Sequence, residues 1–92
     1  MMRDEKKAKL NALRHAFYDD LDEGRLTNLP ATVRRMRKIT GLTQTEYAKL
    51  VGIAPRVLMD LERGVGNPTL RSLEKLAAPF GLRVGLVRKQ HF

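Results

Sequence analysis

Apolar residues recur along this chain at helical spacing, in blocks separated by glycine or proline. Leu10, Leu13, Phe17 and Leu21 stand at i, i+3, i+7 and i+11 and predict a helix from about Asp4 to Leu21. Asp4 and Glu5 open it, where negative charge suits the positive end of the helix dipole. Asp19, Asp20, Asp22 and Glu23 crowd its close, where negative charge does not, so the last turn is expected to fray. Gly24 to Leu29 reads as a linker, and Pro30 suits the first turn of a second helix that points Val33 and Met36 inward and ends at Gly41. Two short helices follow: Gln44 to Val51, with Tyr47, Ala48 and Val51 on one face, and Pro55 to Glu62, with Leu58 and Leu61 on one face. Between them Gly52 is free to take a positive φ, and Ile53 is placed to bury itself. Gly64–Val65–Gly66–Asn67–Pro68 is a loop by composition. Thr69 or Asn67 can cap a last helix whose Leu70, Leu73, Leu76, Ala77 and Phe80 form a core face, broken by Pro79 in its final turn and stopped at Gly81. Leu82 to Arg88 then alternates, with Leu82, Val84 and Leu86 on one face, and predicts a strand that Gly85 weakens.

Five helices and one strand in 92 residues allow one small core and leave no room for a second domain. A lone strand has unpaired edges, and its cheapest partner is the same strand of a second copy. Leu82, Val84, Leu86 and Val87 are therefore the expected dimerisation residues. The chain divides into an N-terminal amphipathic helix and linker over 1–24, a helical domain over 25–81, and a C-terminal strand and tail over 82–92. It contains no cysteine, which removes disulfides and thiolate metal sites. Nothing reads as a secretory signal or a membrane span, so the expected location is cytoplasmic.

The formal net charge is +8, and its distribution matters more than its size. Residues 1–24 hold five Lys/Arg against six Asp/Glu, whereas residues 25–92 hold thirteen against four. The basicity thus belongs to the segment with the two short helices. Two helices across so tight a turn make a helix-turn-helix, a shape that seats its second helix in a DNA major groove. A phosphate backbone is the natural partner for such a charge, and a merely solvated basic surface is the bland alternative. No helix combines a basic face with a large aromatic face, which argues against membrane binding.

More specific than spacing are V-x-x-M-R at Val33–Arg37, G-L-T-Q at Gly41–Gln44, A-x-x-V-G at Ala48–Gly52, L-E-R-G at Leu61–Gly64 and N-P-T-L at Asn67–Leu70. With these, residues 30–82 resemble the XRE-type helix-turn-helix domain of the Cro/phage-repressor class. The resemblance implies a mainly α fold: a five-helix repressor-like domain, here with an extra N-terminal helix and a C-terminal dimerising β-strand. By position and alternation, that strand resembles the one in HipB-like antitoxins, which makes a small intersubunit sheet.

The resemblance also implies roles. Gln44 matches a glutamine that contacts backbone and outer base pairs, and Arg56 falls on a position that points at base edges. A guanidinium there can grip guanine O6 and N7 in a bidentate pair. Thr43 and Thr45 flank the helix N-terminus, where hydroxyls and free N–H groups suit phosphate oxygens. Asp60 and Pro55 depart from the pattern, and Asp60 repels phosphate unless it accepts from a cytosine amino group. Val57 and Met59 add apolar bulk that can meet thymine methyls or pack internally. Arg37 and Glu62 match positions that form a partly buried, structural ion pair. Arg34, Lys38 and Arg63 remain as phosphate candidates. His15 and His91 are far apart and lack an acid or Cys cluster, so neither a metal nor any other cofactor is expected. No nucleophile–base pairing and no glycine-rich phosphate loop is present, which argues against an enzyme. The function expected is a dimeric DNA-binding repressor on a palindromic operator, and more narrowly the autoregulating antitoxin of a toxin–antitoxin pair. The alternative is a protein-interaction module that neutralises a toxin without reading DNA.

Overall fold

The computed structural model describes residues 3–88, so His91 and the last four positions of the expected C-terminal segment lie outside the described residues. Helix α1 spans Asp4–Asp22, α2 Leu29–Thr40, α3 Gln44–Val51, α4 Pro55–Glu62 and α5 Leu70–Ala77, and a 3-10 turn covers Ala78–Phe80. The local chemistry sets these limits. Asn28, Thr43 and Thr69 each accept a backbone N–H from the first turn of α2, α3 and α5, which satisfies donors that a helix start leaves open. Pro79 turns the end of α5 into the 3-10 turn, because its ring leaves no N–H for the α-helical ladder. No described helix is long and apolar enough to cross a membrane.

One core runs through all five helices. Val33, Met36 and Ile39 enter it from α2, Tyr47 and Ala48 from α3, Leu58 and Leu61 from α4, and Leu76 and Phe80 from the last helix and its turn. Phe17 of α1 is 0 % exposed at its centre. Its ring lies 5.7 Å from that of Phe80, and the Arg35 guanidinium stands 5.6 Å from its centroid. The Tyr18 hydroxyl donates to the Phe80 carbonyl at 2.9 Å, and the Tyr47 hydroxyl to the Leu76 carbonyl at 2.8 Å. These phenols occupy carbonyls near a helix end. Burial pushes the Tyr47 phenol up to about 12, so it remains a donor throughout the neutral range.

Three expectations need correction. First, there is no β-strand among the described residues: Leu82 to Arg88 has no regular secondary structure and no ladder. Alternation describes how side chains would divide across a sheet, but a strand also requires a hydrogen-bonded neighbour, and the described chain contains none. Of the four residues assigned to that strand, Leu82 packs against the core, Val84 is exposed, and Leu86 and Val87 stand free in solvent. Second, the five α-helices include the N-terminal one, so 25–81 holds four α-helices and the 3-10 turn rather than five. Helix α1 is accordingly part of the core and not an appendage.

The third correction concerns the acidic close of α1, which continues to Asp22. Arg25 Nε donates to Asp20 at 2.8 Å, and Arg35 Nη1 donates to the other carboxylate oxygen at 2.8 Å. These hydrogen bonds, Arg25's the larger, hold the Asp20 carboxyl below the usual carboxylate range. Cations from the linker and from α2 thereby offset charge that opposes the helix dipole. The apolar stripe is only partly buried: Leu10 lies against Gly41 at the end of α2, whereas Leu13 remains 41 % exposed.

Candidate nucleic-acid interface

The turn between α3 and α4 is built as its sequence suggests. Gly52 takes φ 81°, a left-handed conformation that costs a side chain-bearing residue strain, and ends α3. The N–H groups of Gly52 and Ile53 both reach the Ala48 carbonyl, at 2.9 and 3.0 Å. Lys75 on α5 donates its Nζ to the Gly52 carbonyl at 3.1 Å, tying the turn to the last helix. At the start of α3, the Thr43 hydroxyl accepts the Glu46 N–H while the Glu46 carboxylate accepts the Thr43 N–H, a reciprocal capping box. The backbone and side-chain hydrogen bonds from Thr43 hold the Glu46 carboxyl below its ordinary value. Thr43 and Glu46 stand three residues apart, so T-x-x-E was a legible signal. The role of Lys75 left no trace in local sequence.

Beneath this motif lies the Arg37–Glu62 pair. Arg37 Nε donates to Glu62 Oε2 at 2.8 Å and Nη2 to Oε1 at 3.0 Å, a two-pronged contact, while Nη1 reaches the Leu42 carbonyl at 3.2 Å. Glu62 is 3 % exposed and Arg37 19 %. The Glu62 hydrogen bond raises the Arg37 guanidinium further above its already high value, so it stays charged. The pair joins α2 to the last residue of α4 and fixes the attitude of α4 against the core.

Several candidate binding residues turn out to have structural partners. Gln44 donates its amide to Glu62 Oε1 at 3.3 Å, which links the start of α3 to the buried pair. Arg34 donates to the Glu62 backbone carbonyl. Lys38, one turn further along α2, shares a shallow surface with Leu13 of α1, Arg35 and Ile39. Thr45 is exposed on the first turn of α3. Arg56, Asp60 and Arg63 stand at i, i+4 and i+7 and so share the outward face of α4 and its end. Arg56 and Arg63 are 78 % and 65 % exposed. Val57 and Met59 are half-buried, which places them between core and surface.

Away from this face, an open apolar groove of about 420 Å³ runs between the end of α1, the linker, α2, α5 and the C-terminal segment. Phe17, Leu21, Leu26, Met36 and Leu73 contribute to its walls, and Leu82 to Gly85 with Val87 form one rim.

Comparison with known proteins agrees with this geometry. A family model described as helix-turn-helix matches residues 33–87. An uncharacterised HTH-type transcriptional regulator of Archaeoglobus fulgidus is 40 % identical over 52 residues, covering 56 % of this chain and 74 % of that protein. The HTH-type transcriptional regulator DdrOP3 of Deinococcus deserti is 38 % identical over 52 residues, 56 % of this chain but 40 % of the relative. An uncharacterised HTH-type transcriptional regulator of Sinorhizobium fredii, y4dJ, is 42 % identical over 48 residues, 52 % of this chain and 62 % of the relative. No solved structure matches the chain.

Proposed function

The chain belongs to the helix-turn-helix family, of XRE type, and from that premise we propose that it is a sequence-specific DNA-binding transcriptional repressor. The observation that carries this reading is the division of labour on α4. Its inner face is fixed by Leu58, Leu61 and the Arg37–Glu62 pair, while Arg56 and Arg63 on its outer face stand in solvent. A helix packed on its inner face with solvent-exposed guanidiniums outward is what major-groove docking requires. Arg56 takes the base-reading role, Arg63 and the Thr43 and Thr45 hydroxyls at the start of α3 meet phosphates, and the basic surplus after residue 24 supplies attraction. Gln44 takes its share from the position Glu62 gives it. Arg34 and Lys38 contribute through general charge, since one is engaged on a backbone carbonyl and the other adjoins α1.

Affinity for duplex DNA should then fall with salt, log K dropping by about 0.9 per log unit for each phosphate neutralised. A flat salt response in a gel-shift or anisotropy titration would sink the reading. Arg56→Ala should weaken the preferred site by about 1–3 kcal/mol more than a scrambled duplex. Equal loss on both would reduce Arg56 to a phosphate contact.

The narrower reading is a cytoplasmic homodimer on a palindromic operator, acting as the autoregulating antitoxin of a toxin–antitoxin pair. Two recognition helices must then sit about 34 Å apart to enter successive major grooves. The apolar groove, with Val84, Leu86 and Val87 exposed beside it, favours a protein partner on this side. The same groove supports the second reading, a module that neutralises a toxin without touching DNA. Its signature would be a tight protein complex together with no salt-dependent DNA binding.

A further inference from the structure

The outward face of α4 carries a carboxylate between its two arginines. Arg56 Nε lies 3.4 Å from Asp60 Oδ1, and Arg63 Nη2 lies 3.3 Å from the same oxygen. Asp60 is the anchored member of this trio. Its carbonyl accepts the Val65 N–H at 2.9 Å, and its Cβ lies 3.7 Å from where a Cβ on Gly66 would sit. Its side chain is 30 % exposed, far less than either arginine. The approach to Arg56 is closest at Nε, on the side edge of the planar guanidinium, and is an ion pair rather than a hydrogen bond. That leaves the end-on edge, Nη1 and Nη2, free of any hydrogen bond among the described residues. A guanine presents O6 and N7 to such an edge, two acceptors for two donors.

We propose that Asp60 is a positioning residue for DNA recognition, holding Arg56 by Nε so that its terminal nitrogens face a base, and restraining both arginines from indiscriminate phosphate binding. The inference rests on the DNA-binding reading above. An exposed i, i+4 pair is weak, enough to bias the rotamer of a long side chain but not to withhold it from two good acceptors. Restricting that rotamer before binding reduces the ordering required on the cognate site. On a site without the guanine the arginine stays with Asp60, and a helix bearing two cations presents a net single charge to the phosphates. Asp60 thus acts by separating right sites from wrong ones.

The test uses the full chain and a duplex that the wild-type protein selects from a randomised pool, beside a scrambled duplex of equal composition. Asp60→Asn, which keeps the shape and removes the charge, should tighten binding to the scrambled duplex. It should also steepen that duplex's log–log salt slope by about 0.9–1.8, corresponding to one or two further phosphates neutralised. The ratio of selected to scrambled affinity should narrow about tenfold, within the range of one bidentate base contact. The lost discrimination should map to the single base pair affected by Arg56→Ala, and Asp60→Asn should add nothing at that pair in the Arg56→Ala background. Asp60→Glu, which keeps the charge at i+4, should restore part of the ratio. An unchanged ratio would overturn the proposal. So would a loss at a C·G pair that persists without Arg56, because Asp60 would then be reading a base itself. Failure of the wild-type protein to select any duplex would remove the DNA-binding reading and the proposal together, a result distinct from the other two.

Discussion

Phe17→Ala is expected to lower the unfolding free energy by about 3–5 kcal/mol, the cost of emptying a fully buried aromatic site. The Phe17 ring is closed off from solvent and packed against Phe80, with Arg35 over its face and Tyr18 edge-on at 5.4 Å. Collapse into the space is limited, because Val33, Met36 and Leu76 around the core are already buried. A domain of this size has about 5–15 kcal/mol of stability in all, so the variant should sit close to unfolding at moderate temperature. Leu13→Ala, on the same helix but 41 % exposed, is the control and should shift the urea midpoint little. If Phe17→Ala unfolded at the wild-type midpoint, α1 would have to be treated as detachable.

The second large effect is expected from Arg37→Met. It removes both guanidinium prongs from Glu62 and leaves a carboxylate that is 3 % exposed facing the core with only the Gln44 amide as a side-chain donor. Breaking a buried pair from one side costs about 3–5 kcal/mol. Glu62→Gln should be milder, since the stranded guanidinium keeps a fifth of its surface in water and still holds the Leu42 carbonyl. Replacing both partners, Arg37→Met with Glu62→Leu, should recover much of the loss, because neither charge is then left alone. Denaturant unfolding of these variants, with the Glu62→Leu single closing the cycle, checks this. Simple additivity of the two single costs would mean that the pair does not act as a unit.

Helix limits were readable in this chain because their causes are local. Gly41, Gly52 and Gly81 close elements at left-handed positions, Thr69 caps α5, and Pro79 ends it, all within a few residues of the event they control. The Arg37–Glu62 pair was also foreseen, through the likeness of V-x-x-M-R and L-E-R-G to a known pattern. What escaped was set by partners distant in sequence. Alternation from Leu82 to Leu86 could not reveal that no ladder partner exists among the described residues. The stripe in α1 left open whether it packs on its own domain, and only Phe17 meeting Phe80 decides that. Arg34 and Lys38 looked equivalent as cations, yet one bonds to the end of α4 and the other adjoins α1. Asp60 departs from the pattern when read alone, because its contacts with Arg56 and Arg63 are made by the folded helix and not by neighbouring letters.

The holds on the two-helix motif come from outside it. The turn carbonyl at Gly52 is tied to Lys75, the Tyr47 hydroxyl to Leu76, and Glu62 to Arg37. Residues 42–64 therefore behave as a mounted part whose fixings belong to α2 and α5. Grafted alone onto another scaffold they would carry the letter pattern without the angle, since nothing within the segment replaces those three fixings. Transplanting the motif intact would mean moving at least Arg37, Lys75 and Leu76 with it. Substitutions on the outward residues of α4 leave that frame undisturbed.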